Sequence, residues 1–105
     1  MAKFLALWRF NPNAPWPTDP SGMAMGMEQM FAKVDNNLKS GEVLEFGYFS
    51  DGKSGYSIST GESKDVFRRV FANFPWLEAD VHEMIPYETG KEIVRGVLKA
   101  EAMKR

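Results

Sequence analysis

Apolar and polar residues follow one another along the chain in blocks whose periods predict strands and helices in turn. Residues 4–10 are almost continuously apolar, which is typical of a strand covered on both faces. From Ser21 the apolar residues recur at helical spacing, and Gly41 follows as the residue that ends the helix. The first part of the chain therefore predicts a buried strand and a long amphipathic helix.

The middle of the chain predicts a hairpin and a second helix. Two strand-like runs, 43–49 and 55–60, flank a polar turn of the kind that joins antiparallel strands. Ser63 is placed to cap the next helix, and Pro75 is placed to end it. Because the apolar residues between them fall on one stripe, we expect this helix to pack on the sheet.

The last third predicts one more strand and one more helix. Residues 77–85 alternate between apolar and polar in the manner of a strand. Thr89 and Glu92 have the spacing of a capping box, which predicts the start of a third helix. Its apolar stripe consists of Ile93, Val94, Val97 and Leu98. Such a helix must bury its stripe against its own domain or against a neighbour, so it is a candidate oligomer contact.

This order of elements predicts an α+β fold. Two strand-helix-strand halves build a four-stranded antiparallel sheet with helices on one face, as in ferredoxin-like proteins, and the last helix is an addition. A chain of 105 residues has material for one hydrophobic core, so we expect a single domain over residues 1–105.

Composition excludes several classes of function. Lys and Arg number 13 against 14 Asp and Glu, and no block of like charge is long enough to hold a nucleic-acid backbone. Without cysteine there is no thiolate nucleophile, disulfide or cysteine-ligated metal. The apolar run at residues 4–8 is too short for a signal peptide, and no stretch is long enough to span a membrane. We therefore expect a cytoplasmic protein with no nucleic-acid or membrane partner.

A proline-rich segment at residues 11–22 interrupts the pattern. Its four prolines permit neither a helix nor a strand ladder, and the segment is longer than most connections. Trp16 lies in its middle, and because an indole is costly to leave in water we expect the segment to be ordered.

The second half of the chain carries a family resemblance. Residues 62–76, with the sequence ESKDVFRRVFANFPW, and the alternating strand after them resemble muconolactone isomerase-like proteins of the dimeric α+β barrel group. The resemblance implies a homodimer or larger homo-oligomer in which two sheets face each other and close a barrel. It also implies a pocket between sheet and helices that binds or isomerises a small hydrophobic or aromatic-derived acid. The long segment at 11–22 and the last helix depart from the pattern of that group.

Two polar residues of the last predicted strand are candidate catalytic groups. His82, the one histidine of the chain, suits proton transfer near neutral pH. Glu83 beside it, and Glu45 in an earlier strand, suit the same task if burial raises their pKa. The alternative is that His82 is a half-exposed strand residue hydrogen-bonded to a neighbour, and that the two glutamates lie on the solvent side of their strands.

Arg9 is placed to hold a substrate carboxylate with its forked guanidinium; the alternative is a salt bridge with Glu45 or Glu83. The expected aromatic pocket lining is Trp8, Trp16, Tyr48 and Trp76, which alternatively only fill the core. We expect no metal, because no second His or Cys is spaced to bind one together with His82. We expect no cofactor either; a haem would need an axial ligand, and His82 on a strand is the only imidazole. The competing function is a non-catalytic oligomeric module whose long segment and last helix dock other proteins.

Overall fold

The computed structural model describes residues 2–104, where strands and helices follow one another in the predicted order. The strands are β1 (Ala2–Phe10), β2 (Val43–Tyr48), β3 (Ser54–Gly61) and β4 (Leu77–Met84). The helices are α1 (Pro20–Ser40), α2 (Ser63–Phe71) and α3 (Tyr87–Met103). None of these helices is long and apolar enough to cross a membrane.

The four strands form one antiparallel sheet in the order β2-β3-β1-β4. β1 lies inside the sheet, where Leu5 is paired with Ile58 of β3 on one side and with His82 of β4 on the other. Strand order and the position of the helices in the chain define a ferredoxin-like α+β fold, and α3 is the extra C-terminal helix. The fold class predicted from the sequence is confirmed.

The ends of α1 are fixed by local hydrogen bonds and backbone geometry. Asp19 caps the N-terminus, and its side chain accepts a hydrogen bond of 2.8 Å from the N–H of Gly22. This bond and a second one from the Ser21 hydroxyl hold the pKa of Asp19 below its ordinary value. At the other end Gly41 adopts a left-handed conformation with φ of 80°, as the sequence predicts for a helix stop.

The turn between β2 and β3 is held by Asp51. Its side chain accepts hydrogen bonds of 2.8 Å from the N–H of Lys53 and from the hydroxyl of Ser54. These bonds hold the pKa of Asp51 below its ordinary value. Gly52 provides the positive φ, 74°, that the turn requires.

The start of α2 differs slightly from the prediction. The N-cap is Glu62, so that Ser63 is the first helical residue and not the cap. The backbone N–H of Glu62 donates to Asp65 at 3.4 Å, which satisfies a donor that the helix leaves free.

The predicted start of α3 is wrong. The helix begins at Tyr87, directly after Pro86, and the presumed capping box of Thr89 and Glu92 lies inside it. Pro86 is the N-cap residue, with φ of −57° and an extended ψ of 146°, so the helical conformation begins at the residue after it.

Only one face of the sheet is covered within the single chain. The even-numbered side chains of β1 face α1 and α2, and the buried apolar residues are Phe4, Ala6, Trp8, Ala14, Val43 and Val66. We call this side the helix face. On the opposite side, the open face, Leu5 is half-buried and Leu7 is 37% exposed. The prediction that β1 is covered on both faces is therefore wrong for one chain, because no helix of the described residues lies over its odd-numbered side chains.

Candidate functional site

A cavity of about 380 Å³ lies between α1, α2 and the helix face of the sheet. The strands supply an aromatic floor that includes Trp8, Phe10, Phe46 and Tyr48, and α1 supplies a wall that includes Met27, Met30, Phe31 and Val34. Small-molecule sites in proteins have volumes of about 300–1,000 Å³, so this cavity suits a small ligand.

The floor is organised around Trp8. Its indole stacks on Phe46 with ring centroids 5.3 Å apart, and Tyr48 meets it edge-on at 5.6 Å. The ring also lies close against the backbone of β3 at Gly55, where any side chain would occupy the same space. A residue without a side chain at this position therefore allows the indole to form the floor.

Within residues 2–104 the indole N–H of Trp8 is a buried donor without an acceptor. The residue is 5% exposed, and its Nε1 atom has no hydrogen-bond partner among the residues that the structure describes. Buried polar groups are paired in the great majority of cases, so an unpaired one in the floor of a cavity needs an explanation. An oxygen atom of a ligand would supply the missing acceptor.

The aromatic floor continues into the proline-rich segment. Phe10 lies edge-on to Trp8 at 5.4 Å and to Trp16 at 5.7 Å, and Trp16 lies 5.0 Å from Trp76. We call the set the aromatic row; it consists of Tyr48, Phe46, Trp8, Phe10, Trp16 and Trp76. All four aromatic residues that the sequence offered as pocket lining lie in this row, although Trp16 and Trp76 lie beyond the cavity lining.

Asn11 holds the proline-rich segment against the sheet. Its carbonyl accepts a bond of 2.6 Å from the Trp16 indole, and its side chain donates to the carbonyl of Pro75 at 2.9 Å. Its backbone N–H donates to the carbonyl of Trp76 at 2.9 Å. The hydrogen bond from the Trp16 indole to the Asn11 carbonyl supports the expectation that this segment is ordered.

Three cationic side chains line the cavity: Lys33 from α1, and Arg68 and Arg69 from α2. Arg69 is half-buried; it donates to the carbonyl of Thr60 at 3.1 Å and lies 3.9 Å from the carboxylate of Glu42. Among the described lining residues there is no Asp or Glu. Arg68 lies 3.6 Å from the carboxylate of Asp65, which, like Glu42, is outside the lining. The lining itself is therefore apolar with cationic side chains at its rim, which favours an anionic ligand.

Arg9, predicted to hold a substrate carboxylate, lies on the open face of the sheet. It donates to Glu78 at 3.0 Å and to Asp80 at 3.2 Å, both on the neighbouring strand β4. These contacts raise the pKa of the guanidinium, and the contact with Asp80 has the larger effect. The ion pair expected as its alternative role exists, but the partners are these two carboxylates and neither Glu45 nor Glu83.

The candidate proton-transfer residues His82, Glu83 and Glu45 do not lie together. His82 lies on β4 and Glu45 on β2, with two strands between them, which corresponds to about 14 Å. Glu45 accepts a short hydrogen bond from the hydroxyl of Tyr56, and this bond raises the pKa of that phenol. Glu83 is exposed and shares the face of Phe4. The structure thus places none of Arg9, Glu45, His82 and Glu83 in the cavity lining.

Sequence reasoning missed the cationic residues of the cavity. Arg68 and Arg69 are adjacent in α2, next to Val70, which belongs to the apolar stripe and also lines the cavity. Consecutive arginines beside the buried stripe of a helix that packs on a sheet are a signal for a positive pocket rim. Asn11 was also missed, because nothing local predicts which carbonyl its amide meets.

No protein-family model matches this chain, and no curated protein matches it. Among residues 2–104 no group of three or more His, Cys, Asp or Glu side chains is placed to hold a metal ion. The structure therefore defines the protein as a ferredoxin-like α+β fold with an aromatic, positively rimmed cavity between its sheet and its helices.

Proposed function

We propose that this protein binds a small hydrophobic acid, of the size of an aromatic carboxylate, in the cavity between the sheet and the helices. One observation carries the proposal: the aromatic floor is combined with three cationic side chains and, among the described lining residues, no carboxylate. Aromatic walls favour a flat apolar body, and guanidinium groups favour a carboxylate.

The buried donor in the floor supports the same class of ligand. A carboxylate has acceptor sites to spare, so it can take hydrogen bonds from the indole of Trp8 as well as from a cation of the rim. A hydrocarbon ligand without oxygen would leave the Trp8 donor unpaired.

Binding is better supported than catalysis. The described lining contains no His, Asp or Glu that would move a proton between carbon atoms of the ligand. Isomerisation by way of His82 or Glu83 rests on the resemblance to muconolactone isomerase-like proteins, and in one chain these two side chains lie on opposite faces of β4.

Calorimetric titration with 2-naphthoate tests the proposal, with 2-naphthylmethanol as the uncharged control. We expect the naphthoate to bind more tightly. Arg69→Met should weaken naphthoate binding about 10-fold or more, since a hydrogen bond to a charged group contributes about 1.5–3 kcal/mol. The affinity of Arg69→Met for 2-naphthylmethanol should change little.

The matched control is Arg9→Met, which removes a guanidinium from the open face. It should leave naphthoate affinity unchanged, and circular dichroism should show that both variants are folded. If neither probe binds the wild-type protein, or if the open-face variant loses affinity and the cavity variant does not, the proposed site is wrong.

A second candidate function is a non-catalytic oligomeric module. It is favoured by the exposure of large apolar side chains on α2 and α3, which a protein partner or a second copy would cover. Native mass spectrometry of gently purified protein separates the two functions, since a small molecule carried from the cell supports the ligand site, and a bare oligomer supports the module.

A further inference from the structure

α3 extends away from the rest of the chain. The radius of gyration is 18.4 Å and the longest dimension is 67 Å, whereas a compact chain of this length has a radius of gyration of about 13 Å. In the described residues α3 packs along neither the sheet nor another helix. Its apolar stripe, Ile93, Val94, Val97 and Leu98, is 56–64% exposed. Most of the stability of a helix in a protein comes from packing its apolar face, so this face requires a partner.

A second unpartnered surface lies on α2 and just after it. Phe67, Phe71 and Phe74 form a column of stacked rings, with centroids 5.8 Å apart in the first step and 5.4 Å in the second. We call it the phenylalanine column. Its members are 60–69% exposed, which leaves about 400 Å² of aromatic surface in water. Single patches of this size on a protein surface are often sites of interaction.

We propose that α3 of a second copy of this chain covers the phenylalanine column, and that the exchange is reciprocal. Each chain carries one column and one stripe. A twofold dimer therefore covers the two columns and the two stripes at once. The stripe from Ile93 to Leu98 spans about 7.5 Å of helix axis, so it fits within the stacked rings.

The area is sufficient for a stable pair. Covering the column buries a similar area of the covering helix, and twofold symmetry doubles the sum to roughly 1,600 Å², the usual size of a specific protein interface. A second copy carries both surfaces itself, so one kind of contact, made twice, covers the column and the stripe of each chain. A second copy is therefore the occupant that both surfaces fit.

Disulfide trapping tests this pairing directly, because the chain contains no cysteine. Phe71→Cys and Val97→Cys alter the middle residue of the column and a central residue of the stripe, so the two positions meet whichever way the helix runs. The variants are purified separately, reduced, mixed and oxidised. We expect a disulfide between the two different variants, at twice the chain mass of 11.9 kDa.

The controls give the outcomes that would overturn the proposal. Lys99→Cys lies on the charged side of α3 and should not cross-link to Phe71→Cys. A disulfide between two copies of Val97→Cys, in preference to the mixed pair, would mean that α3 pairs with itself. A disulfide between two copies of Phe71→Cys would mean that the columns face each other.

Sedimentation velocity provides a test that does not depend on thiols. The wild-type protein should sediment as a dimer, and Val97→Asp should weaken dimerisation by about 100-fold or more, because it would bury an unpaired carboxylate. Lys99→Glu, the control on the charged side, should remain dimeric. A wild-type monomer at high micromolar concentration, or a dimer unaffected by Val97→Asp, would overturn the proposal, and the latter would indicate pairing through the open face.

Discussion

Replacing Gly55 by alanine tests whether the close seating of Trp8 on β3 forms the cavity floor. A Cβ atom at this position would lie 2.6 Å from Cε2 of the indole, and closer still to Cζ2 and to the carbonyl oxygen of Gly47. Carbon atoms in contact are normally about 3.5–4.0 Å apart. The indole of Trp8 is stacked on Phe46, and the carbonyl of Gly47 is fixed by the pairing of β2 with β3. Neither group can therefore move away from the new methyl group easily.

The expected cost follows from this double overlap. Overpacking a protein interior typically costs about 1–3 kcal/mol, and we expect at least the upper value here because one of the overlapping atoms belongs to the backbone. For a chain of 105 residues, about 3 kcal/mol lowers the midpoint of thermal unfolding by roughly 12 °C or more. Displacement of the indole should also reduce naphthoate affinity.

Thermal unfolding followed by circular dichroism measures the effect, with Gly26→Ala as the matched control. A Cβ at Gly26, inside α1, would meet no atom within 4 Å. Since glycine in a helix interior costs about 1 kcal/mol relative to alanine, this variant should unfold a few degrees higher than wild type. If Gly55→Ala unfolds at the wild-type temperature, the indole does not lie against β3 as described.

Three further predictions concern the floor, the proline-rich segment and the hairpin. Trp8→Phe removes the unpaired N–H and keeps a ring, so calorimetry should show naphthoate affinity lower by about 3- to 10-fold; unchanged affinity would mean that the indole donates nothing to the ligand. Asn11→Ala loses its bond to the Pro75 carbonyl and should lower stability in urea by about 1–2 kcal/mol, while Asn13→Ala, which changes no such bond, should behave as wild type. The pKa of Asp51 is lower in the folded protein than its ordinary value of 3.8. Its hydrogen bonds therefore contribute their full stabilisation above pH 3.8, and this contribution is lost as the pH falls through the pKa of Asp51 in the folded protein. Unfolding midpoints measured between pH 5 and pH 2 should therefore fall less for Asp51→Asn than for wild type, and parallel curves would contradict the role of this carboxylate.

The element order was predictable because each segment carries its own period. The hairpin and the end of α1 were found from residues with special backbone freedom, such as Gly41 and Gly52. The start of α3 was misplaced because Thr89 and Glu92 form a local pattern that the preceding Pro86 overrides. The coverage of β1 was misjudged because a run of apolar residues does not tell whether the second cover lies in the same chain.

The site was less predictable than the fold. Trp8 and Arg9 are consecutive in a strand, and so are His82 and Glu83; the pleat directs consecutive side chains to opposite faces. A single chain therefore cannot gather both members of either pair into one pocket. The aromatic row follows partly from strand parity, but the contact of Trp16 with Phe10 depends on a loop path that no periodic pattern encodes.

The aromatic row allows ligand binding to be followed by the intrinsic tryptophan fluorescence of the protein. All three tryptophans of the chain, Trp8, Trp16 and Trp76, lie in this row, with Phe10 bridging the first two. Intrinsic emission excited at the indole band therefore originates entirely from the region between the cavity floor and the proline-rich segment. Spectral shifts or quenching on adding a compound report on that region without a label, and Trp8→Phe leaves only the emission of Trp16 and Trp76.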